Sequence, residues 1–333
     1  MRSACGRCEA SYNVGLNGIS RGTMRSELIL SIGGKTNLSV IGRDRGHTWE
    51  TRLVALLISL VLPCAGSFPC TLWSATGSAV QNGGTIIAKN RDWIPDNVEV
   101  LRKVPETGNE YAFFGIYAED DDAPGFKAGI NEKGLVVVNA SASAIPKKER
   151  ASLPGRGNLV RGMLARYASV ATMLDESEKL FGGGSPMFYM IADATEIAYV
   201  EISPEGRYSV NVVKNGILAH TNHYLDAHFA TANIKIGKSS SIRLSRIVGL
   251  LKEENGGLTE DAFIAMSRDS HDGPDDSIWR TGNRPGRERT LATWVVKLPA
   301  GGCPQLYVRL ANPGESIQEF RYSLDTNFWS SKD

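Results

Sequence analysis

Cys70-Thr-Leu-Trp-Ser-Ala-Thr76 and, after a short polar turn, Gly83-Gly-Thr-Ile-Ile-Ala-Lys-Asn-Arg-Asp-Trp93 are the two stretches on which the reading of this chain turns. Both are rich in β-branched and aromatic residues, and Ser78 to Asn82 between them is turn-like, so the pair reads as a β-hairpin. The cysteine stands at the head of the first strand. Just upstream lies the apolar run Leu53-Val-Ala-Leu-Leu-Ile-Ser-Leu-Val-Leu62, preceded by Arg52 and followed by Cys64-Ala-Gly-Ser67. At about ten residues that run is roughly half of what a membrane-spanning helix needs. Its layout is that of a secretory signal with its cleavage region.

Removal of residues 1–69 would make Cys70 the first residue, with a thiol and a free α-amino group on one framework. An α-amine titrates near ~7.7–8 and a free thiol near ~8.5, so at neutral pH the amine can take the thiol proton. Nucleophile and base then come from one residue. The sequence therefore divides into a leader, residues 1–69, removed on maturation, and a catalytic domain, residues 70–333, destined for secretion or the periplasm. A competing reading makes the apolar run an internal buried strand or helix of a cytosolic protein, and the long polar stretch 1–50 leaves the translation start open.

Composition narrows the partners. With 42% hydrophobic and 22% charged residues, the chain is an ordinary globular protein, and 37 basic against 36 acidic residues leave a net charge of +1 with no block of one sign. That argues against nucleic acid. The 35 glycines fall mostly at strand ends and turns, as in a β-rich fold with tight connections. Cys5-Gly-Arg-Cys8 resembles half a metal site, but no second pair follows, and neither metal nor other cofactor is expected. Cys70 and Cys303 are the cysteines left after the leader, and a disulfide between them would abolish the nucleophile.

Further along, strands are expected over 97–103, 110–118, 126–130 and 134–139, the last two forming a hairpin about Asn131-Glu-Lys133. Apolar residues then recur at three and four from Leu159 to Leu174, and a second helix runs to the glycine triplet at 182–184. Strands over 187–193, 197–202, 208–214 and 216–220 follow, then helices over 241–252 and 258–267, then strands over 289–297, 305–310 and 319–322. Strands, helices, strands, helices, strands imply sheets with helices on their outer faces.

Four segments carry a resemblance to the N-terminal-nucleophile hydrolases of linear amide bonds. Among these, the nearest group looks like the peptidase C45 family of autoproteolytic acyltransferases and hydrolases, whose relatives include choloylglycine hydrolase, penicillin V acylase, acid ceramidase and acyl-coenzyme A:6-aminopenicillanic acid acyltransferase. Cys70-Thr-Leu-Trp73 resembles the new N-terminus of that family, and Ala88-Lys-Asn-Arg-Asp-Trp93 its pattern at the end of the second strand. Gly129-Ile-Asn-Glu-Lys-Gly-Leu-Val-Val-Val-Asn-Ala-Ser141 is similar to its N-E-x-G-L hairpin, and Leu218-Ala-His-Thr-Asn-His-Tyr224 to its T-N element. Downstream, Ser239-Ser-Ser-Ile-Arg-Leu-Ser-Arg246 resembles an S-x-R element that opens a helix, with Arg243 the matching residue.

The resemblance implies an α+β fold, a four-layer αββα sandwich of antiparallel sheets. It also implies roles: Cys70 as nucleophile, Asp92 holding its α-amino group, Asn139 beside the oxyanion hole, Asn222 donating its side-chain amide to the oxyanion, and Arg243 as a catalytic or structural arginine. Strict counting puts the Asn139 position nearer Ser141. An arginine stands at the position of Lys89 in part of the family, whereas here Arg91 lies two residues later; which cation faces the thiol is open, with Arg91 favoured. Plainer readings exist for each: Lys89 and Arg91 as a solvated strand edge, Asn222 as a turn residue. His220, His223 and His228 crowd together, but a strand puts the first two on opposite faces, which disfavours a metal site. His271 is an alternative base.

The expected activity is hydrolysis of a linear amide in a small-molecule N-acyl substrate through an acyl-enzyme on Cys70. The alternatives are transfer of the acyl group to an amine, or a non-catalytic binding domain on the same fold. Loops at 119–122 and 222–230 are expected to shape the pocket. No membrane span is expected in the mature chain, and a homo-oligomer is left open.

Overall fold

The computed structural model describes residues 69–119, 124–153, 158–254 and 257–331. Residues 1–68, with the apolar run and Cys5, Cys8 and Cys64, lie outside them, as do Asp120 to Asp122 of the acidic loop.

The strands are β1 (Cys70–Thr76), β2 (Thr85–Trp93), β3 (Glu99–Val104), β4 (Phe113–Ala118), β5 (Gly125–Asn131), β6 (Val136–Ser141), β7 (Met187–Ala192), β8 (Ile197–Ile202), β9 (Tyr208–Val213), β10 (Gly216–His220), β11 (Arg289–Leu298), β12 (Gln305–Leu310) and β13 (Gln318–Ser323). The helices are α1 (Lys147–Ser152), α2 (Val160–Arg166), α3 (Val170–Leu174), α4 (Ser177–Phe181), α5 (Lys238–Glu253), α6 (Glu260–Ser267), α7 (Gly273–Asp276) and α8 (Thr326–Ser330). All ladders pair antiparallel, in a six-stranded sheet ordered β10-β1-β2-β11-β12-β13 and a seven-stranded sheet ordered β3-β4-β5-β6-β7-β8-β9.

Period-two alternation explains the layering. On β1, Leu72 faces the other sheet, in a core with Ile87, Val138, Met190 and Trp294, while Trp73 and Ala75 turn outward. The outward residues meet Ile247 and Leu251 of α5 and Phe263 and Ile264 of α6. On the seven-stranded sheet, Val137, Tyr189, Ile191 and Val200 turn outward to Val160, Met163 and Leu164 of α2 and to Phe181 of α4. Sheets buried on both faces lose the simple polar/apolar alternation of a one-sided sheet, which is why β1 and β2 are buried at every position. The result is the αββα sandwich of an α+β protein.

The β1–β2 turn depends on backbone freedom. Asn82, Gly83 and Gly84 all have positive φ, and a Cβ on Gly84 would lie 2.3 Å from the Leu298 carbonyl oxygen. The strand expected from 110 starts at Phe113, because Thr107 and Glu110 bond each other in a tight turn and Tyr111 N donates to Ala165 O. Helices α1, α7 and α8 are six residues or fewer, too short to show a period. The last packs Phe328 against Phe114 and Tyr322.

Among the described residues no helix is long and apolar enough to cross a membrane.

Candidate active site

Cys70 opens β1 between β2 and β10, so neighbours on both sides fix its backbone. Register places Arg91 opposite Cys70 on β2, and His220 opposite Leu72 at the end of β10. Two residues beyond His220, antiparallel progression brings Asn222 level with Cys70. There Asn222 Oδ1 accepts a hydrogen bond from Cys70 N at 2.9 Å. Pro69 is still joined to that nitrogen, so the peptide N–H stands where an α-amine would be after cleavage.

Arg243, fully buried on the second turn of α5, ties the corner together. Its Nη1 donates to Cys70 O at 2.6 Å and Thr71 Oγ1 at 2.7 Å, and its Nη2 donates to Asn222 Oδ1 at 3.0 Å. Two donors converging on one atom of the Asn222 amide identify that atom as oxygen. The amide nitrogen then faces Ser141 O at 3.0 Å. Burial lowers the Arg243 pKa to about 10, against the pull of Asp92 in the other direction.

Asp92 is also buried. Its Oδ1 accepts from Thr290 Oγ1 at 2.8 Å, and its Oδ2 lies 3.8 Å from Arg280 Nη1. A bulge in β11 between Thr290 and Ala292 sets this register, a device that commonly re-aims side chains beside active sites. Burial raises the carboxyl's pKa, with Arg280 and Arg243 the main opposing charges. The resemblance puts Asp92 on the nucleophile's amino group; with Pro69 attached, Cys70 N is directed to Asn222 instead, and Asp92 acts on the corner through the charge of Arg243.

Lys89 and Arg91 take different surroundings from those favoured by the sequence. Arg91 Nε pairs with Glu99 Oε1 at 2.8 Å and its guanidinium stacks 4.1 Å over Trp93. Lys89 crosses to the other sheet, donating to Lys127 O at 2.9 Å, Asn139 O at 2.6 Å and Asn139 Oδ1 at 2.9 Å. Burial drives the Lys89 pKa down to about 8; Cys70 works against that shift, while Arg91 and Lys127 add to it. Of these two, Lys89 is the cation electrostatically coupled to Cys70, a coupling it shares with Arg243, and neither residue is a solvated edge. Asn139, by the same bonds, orients Lys89, while Ser141, the position reached by strict count, presents its carbonyl to Asn222.

The histidines spread out. His220 pairs with Glu201, His223 Nδ1 lies 2.8 Å from Ser240 Oγ, and His228 Nδ1 lies 2.9 Å from Asp226. Burial, with His220 and Arg243 nearby, lowers the His223 pKa to about 4, so the ring is neutral at ordinary pH. His271 is exposed. Cys70 and Cys303 are free thiols, the latter beside Ser323.

Arg280, Thr290 and Ser240 escaped the sequence reading. Ser240 Oγ accepts from Asn222 N at 3.0 Å and so fixes the Asn222 turn to α5. The Ser239-Ser-Ser241 run was its sole trace in sequence; Arg280 and Thr290 sit in loop and strand positions that carry no local signal. A cleft of about 580 Å³ opens beside Pro69 and reaches Arg243 and Arg280. Its wall carries seven cationic side chains, among them Lys147, Arg150, Lys235, Lys238 and Arg287, against the three carboxylates of Asp275, Asp276 and Glu288.

Two stacked antiparallel sheets between helices, with a cysteine at the head of an internal strand, define the N-terminal-nucleophile hydrolase class. Within it, residues 80–314 match the model of the family described as acyl-coenzyme A:6-aminopenicillanic acid acyl-transferase, and the chain belongs to that family. It is therefore an enzyme acting on linear amide bonds. The matched stretch begins ten residues after Cys70, so the place of that cysteine rests on the geometry above. No curated protein matches the chain. Among solved structures, an arginine-to-leucine variant of conjugated bile acid hydrolase from Clostridium perfringens is 16% identical, with 76% of this chain and 97% of that one covered at a TM-score of 0.46. A cysteine-to-alanine variant of the same hydrolase is 19% identical, with 78% and 93% covered at a TM-score of 0.40.

Proposed function

We propose that this protein is a self-maturing cysteine amidase that cleaves the amide bond of an N-acyl substrate through an acyl-enzyme on Cys70. The observation that carries the reading is the bond from Cys70 N to Asn222 Oδ1, locked by Arg243. It holds the nitrogen that must become the base in a fixed direction beside its own thiol.

Maturation begins with attack of Cys70 Sγ on the Pro69 carbonyl carbon. The C–S bond forms, the C–N bond to Cys70 breaks, and the nitrogen takes a proton to become the α-amine. Water then hydrolyses the thioester, releasing the leader as a carboxylate. In turnover the amine accepts the thiol proton, the sulfur attacks the substrate carbonyl, and the Asn222 amide with backbone N–H groups stabilises the oxyanion. One such donor contributes ~3 kcal/mol. The ammonium returns its proton to the departing amine, and water releases the acyl group. Lys89 lends positive charge to the thiolate.

The excess of cations on the cleft wall suits a substrate with a carboxylate or phosphate. The family description includes an acyl-coenzyme A donor, which is anionic. An amine in place of the final water would make the enzyme an acyltransferase, the second reading. Secretion with loss of the 1–69 leader completes the proposal.

The test is the intact mass and N-terminal residue of wild type and Cys70→Ala from a secreting host. Wild type should begin at Cys70, and Cys70→Ala should retain Phe68-Pro69 or a longer leader. A stable, folded wild-type chain that keeps residues before Cys70 removes the amine base and sinks the mechanism.

A further inference from the structure

The segment that carries Asn222 is gripped on both flanks by one buried carboxylate from the opposite sheet. Glu201 lies on β8 of the seven-stranded sheet and is fully buried. Its Oε1 is 3.2 Å from His220 Nε2, two residues before Asn222, and accepts from Leu225 N at 2.6 Å, three residues after it. Its Oε2 accepts from Asp226 N at 3.2 Å. Tyr199 OH adds a bond to Oε1 at 2.7 Å.

The His220 ring is stacked on Tyr199 with centroids 4.3 Å apart and lies against Phe188 at 4.4 Å, tilted by 59°. Its Nδ1 is 2.9 Å from Thr221 O. A carbonyl only accepts, so Nδ1 carries a hydrogen. Nε2 then meets Glu201 as a donor to a carboxylate or as an acceptor from a carboxylic acid. Either way one proton is shared between the ring and the carboxyl, and without it two lone pairs face each other in a dry site.

We propose that Glu201 and His220 form a positioning clamp, closed by that shared proton, which holds residues 220–226 so that Asn222 meets Cys70. This extends the role given to Asn222 under the proposed function and rests on it. Breaking the pair frees both flanks of the turn, while Ser240 still holds its middle. The titratable groups around the pair are Tyr199 on β8 and His223, Tyr224 and Asp226 after β10, with Glu205 and Arg150 acting on Tyr224. Burial pushes the Glu201 pKa up, but the bonds from His220, Leu225 N and Tyr199 outweigh it and hold the carboxyl below its usual range. Burial also draws the His220 pKa down, against the bond and charge of Glu201. Both directions put the loss of the shared proton below the ordinary histidine value, so the clamp closes toward acid and opens as pH rises.

Two measurements on the full chain test this: amide hydrogen exchange of residues 220–226, and the rate of cleavage between Pro69 and Cys70, each in wild type, Glu201→Gln and His220→Gln. Glu201→Gln should speed exchange at Leu225 and Asp226 by at least about tenfold. It should slow cleavage on the order of ten- to a hundredfold near pH 5.5, the scale of a small misplacement at a reacting centre. The ratio of wild-type to His220→Gln cleavage rates should fall as pH goes from about 5 to about 8, because glutamine has no proton to lose. Unchanged exchange at Leu225 and Asp226 overturns the clamp. Faster exchange with an unaltered cleavage rate and a flat ratio reduces the pair to a structural contact and overturns the positioning role. A wild-type chain that is never cleaved defeats the maturation reading instead, and exchange alone then decides the clamp. Should Glu201→Gln not fold, His220→Gln carries both measurements.

Discussion

The Arg243 guanidinium and the Asn222 side-chain oxygen sit 3.0 Å apart in a corner where Arg243 also holds the carbonyl of Cys70. One buried cation thereby orients both the Cys70 backbone and the amide that faces it. Planarity matters, because the guanidinium reaches Ser239, Thr71, Cys70 and Asn222 from three nitrogens spread over one rigid plane, whereas an ammonium donates from a single point.

Arg243→Met should lower stability by about 3–5 kcal/mol, since it leaves buried Asp92 without one of its two main countercharges. Arg243→Lys should recover part of that stability and little of the cleavage between Pro69 and Cys70. Urea denaturation and intact mass read the two effects separately. Equal recovery of both would contradict a geometric role for the fork.

Asn222→Ala should leave a folded chain whose cleavage and amide turnover are slower by about 10²–10³-fold, the usual cost of one oxyanion donor. Timed mass spectrometry checks it. A variant that matures at the wild-type rate would place the oxyanion elsewhere.

Lys89 makes a prediction in pH. Its folded pKa is about 8 against an ordinary 10.5, so between those values the unfolded chain binds more protons than the folded one. Stability from this group therefore rises with pH across that window, by ~3 kcal/mol, and below it the buried charge is a cost. Wild type minus Lys89→Met, from urea midpoints near pH 8 and pH 10, should show that rise. A pH-independent difference would mean that Lys89 is not held as a strained buried ammonium.

Gly84→Ala should cost roughly 1–3 kcal/mol, because φ is +84° and the new Cβ would meet the Leu298 carbonyl at 2.3 Å. Gly83→Ala, with φ of +73° but its nearest atom at 3.9 Å, should cost about 1 kcal/mol. Thermal unfolding of the pair separates conformational cost from collision.

Much of the fold is legible in the chain itself. The β-branched and aromatic residues of β1 and β2, the turn glycines and the three-and-four spacing from Leu159 to Leu174 are local patterns, and local backbone preferences act within a few residues. They suffice to order strands and helices and to place Cys70 at the head of a strand. What they leave out is which side chains meet. Whether Lys89 or Arg91 serves the thiol depends on what the opposite sheet offers: backbone carbonyls of Lys127 and Asn139 for one, Glu99 and Trp93 for the other. Arg280 and Thr290 reach Asp92, and Glu201 reaches His220, only because antiparallel register and the bulge in β11 bring distant segments level. Sequence determined the elements and the place of Cys70 at the head of a strand, because those follow from residue spacing. Tertiary structure decided the charge partners, because buried ions are settled by whatever desolvated neighbours the packing supplies.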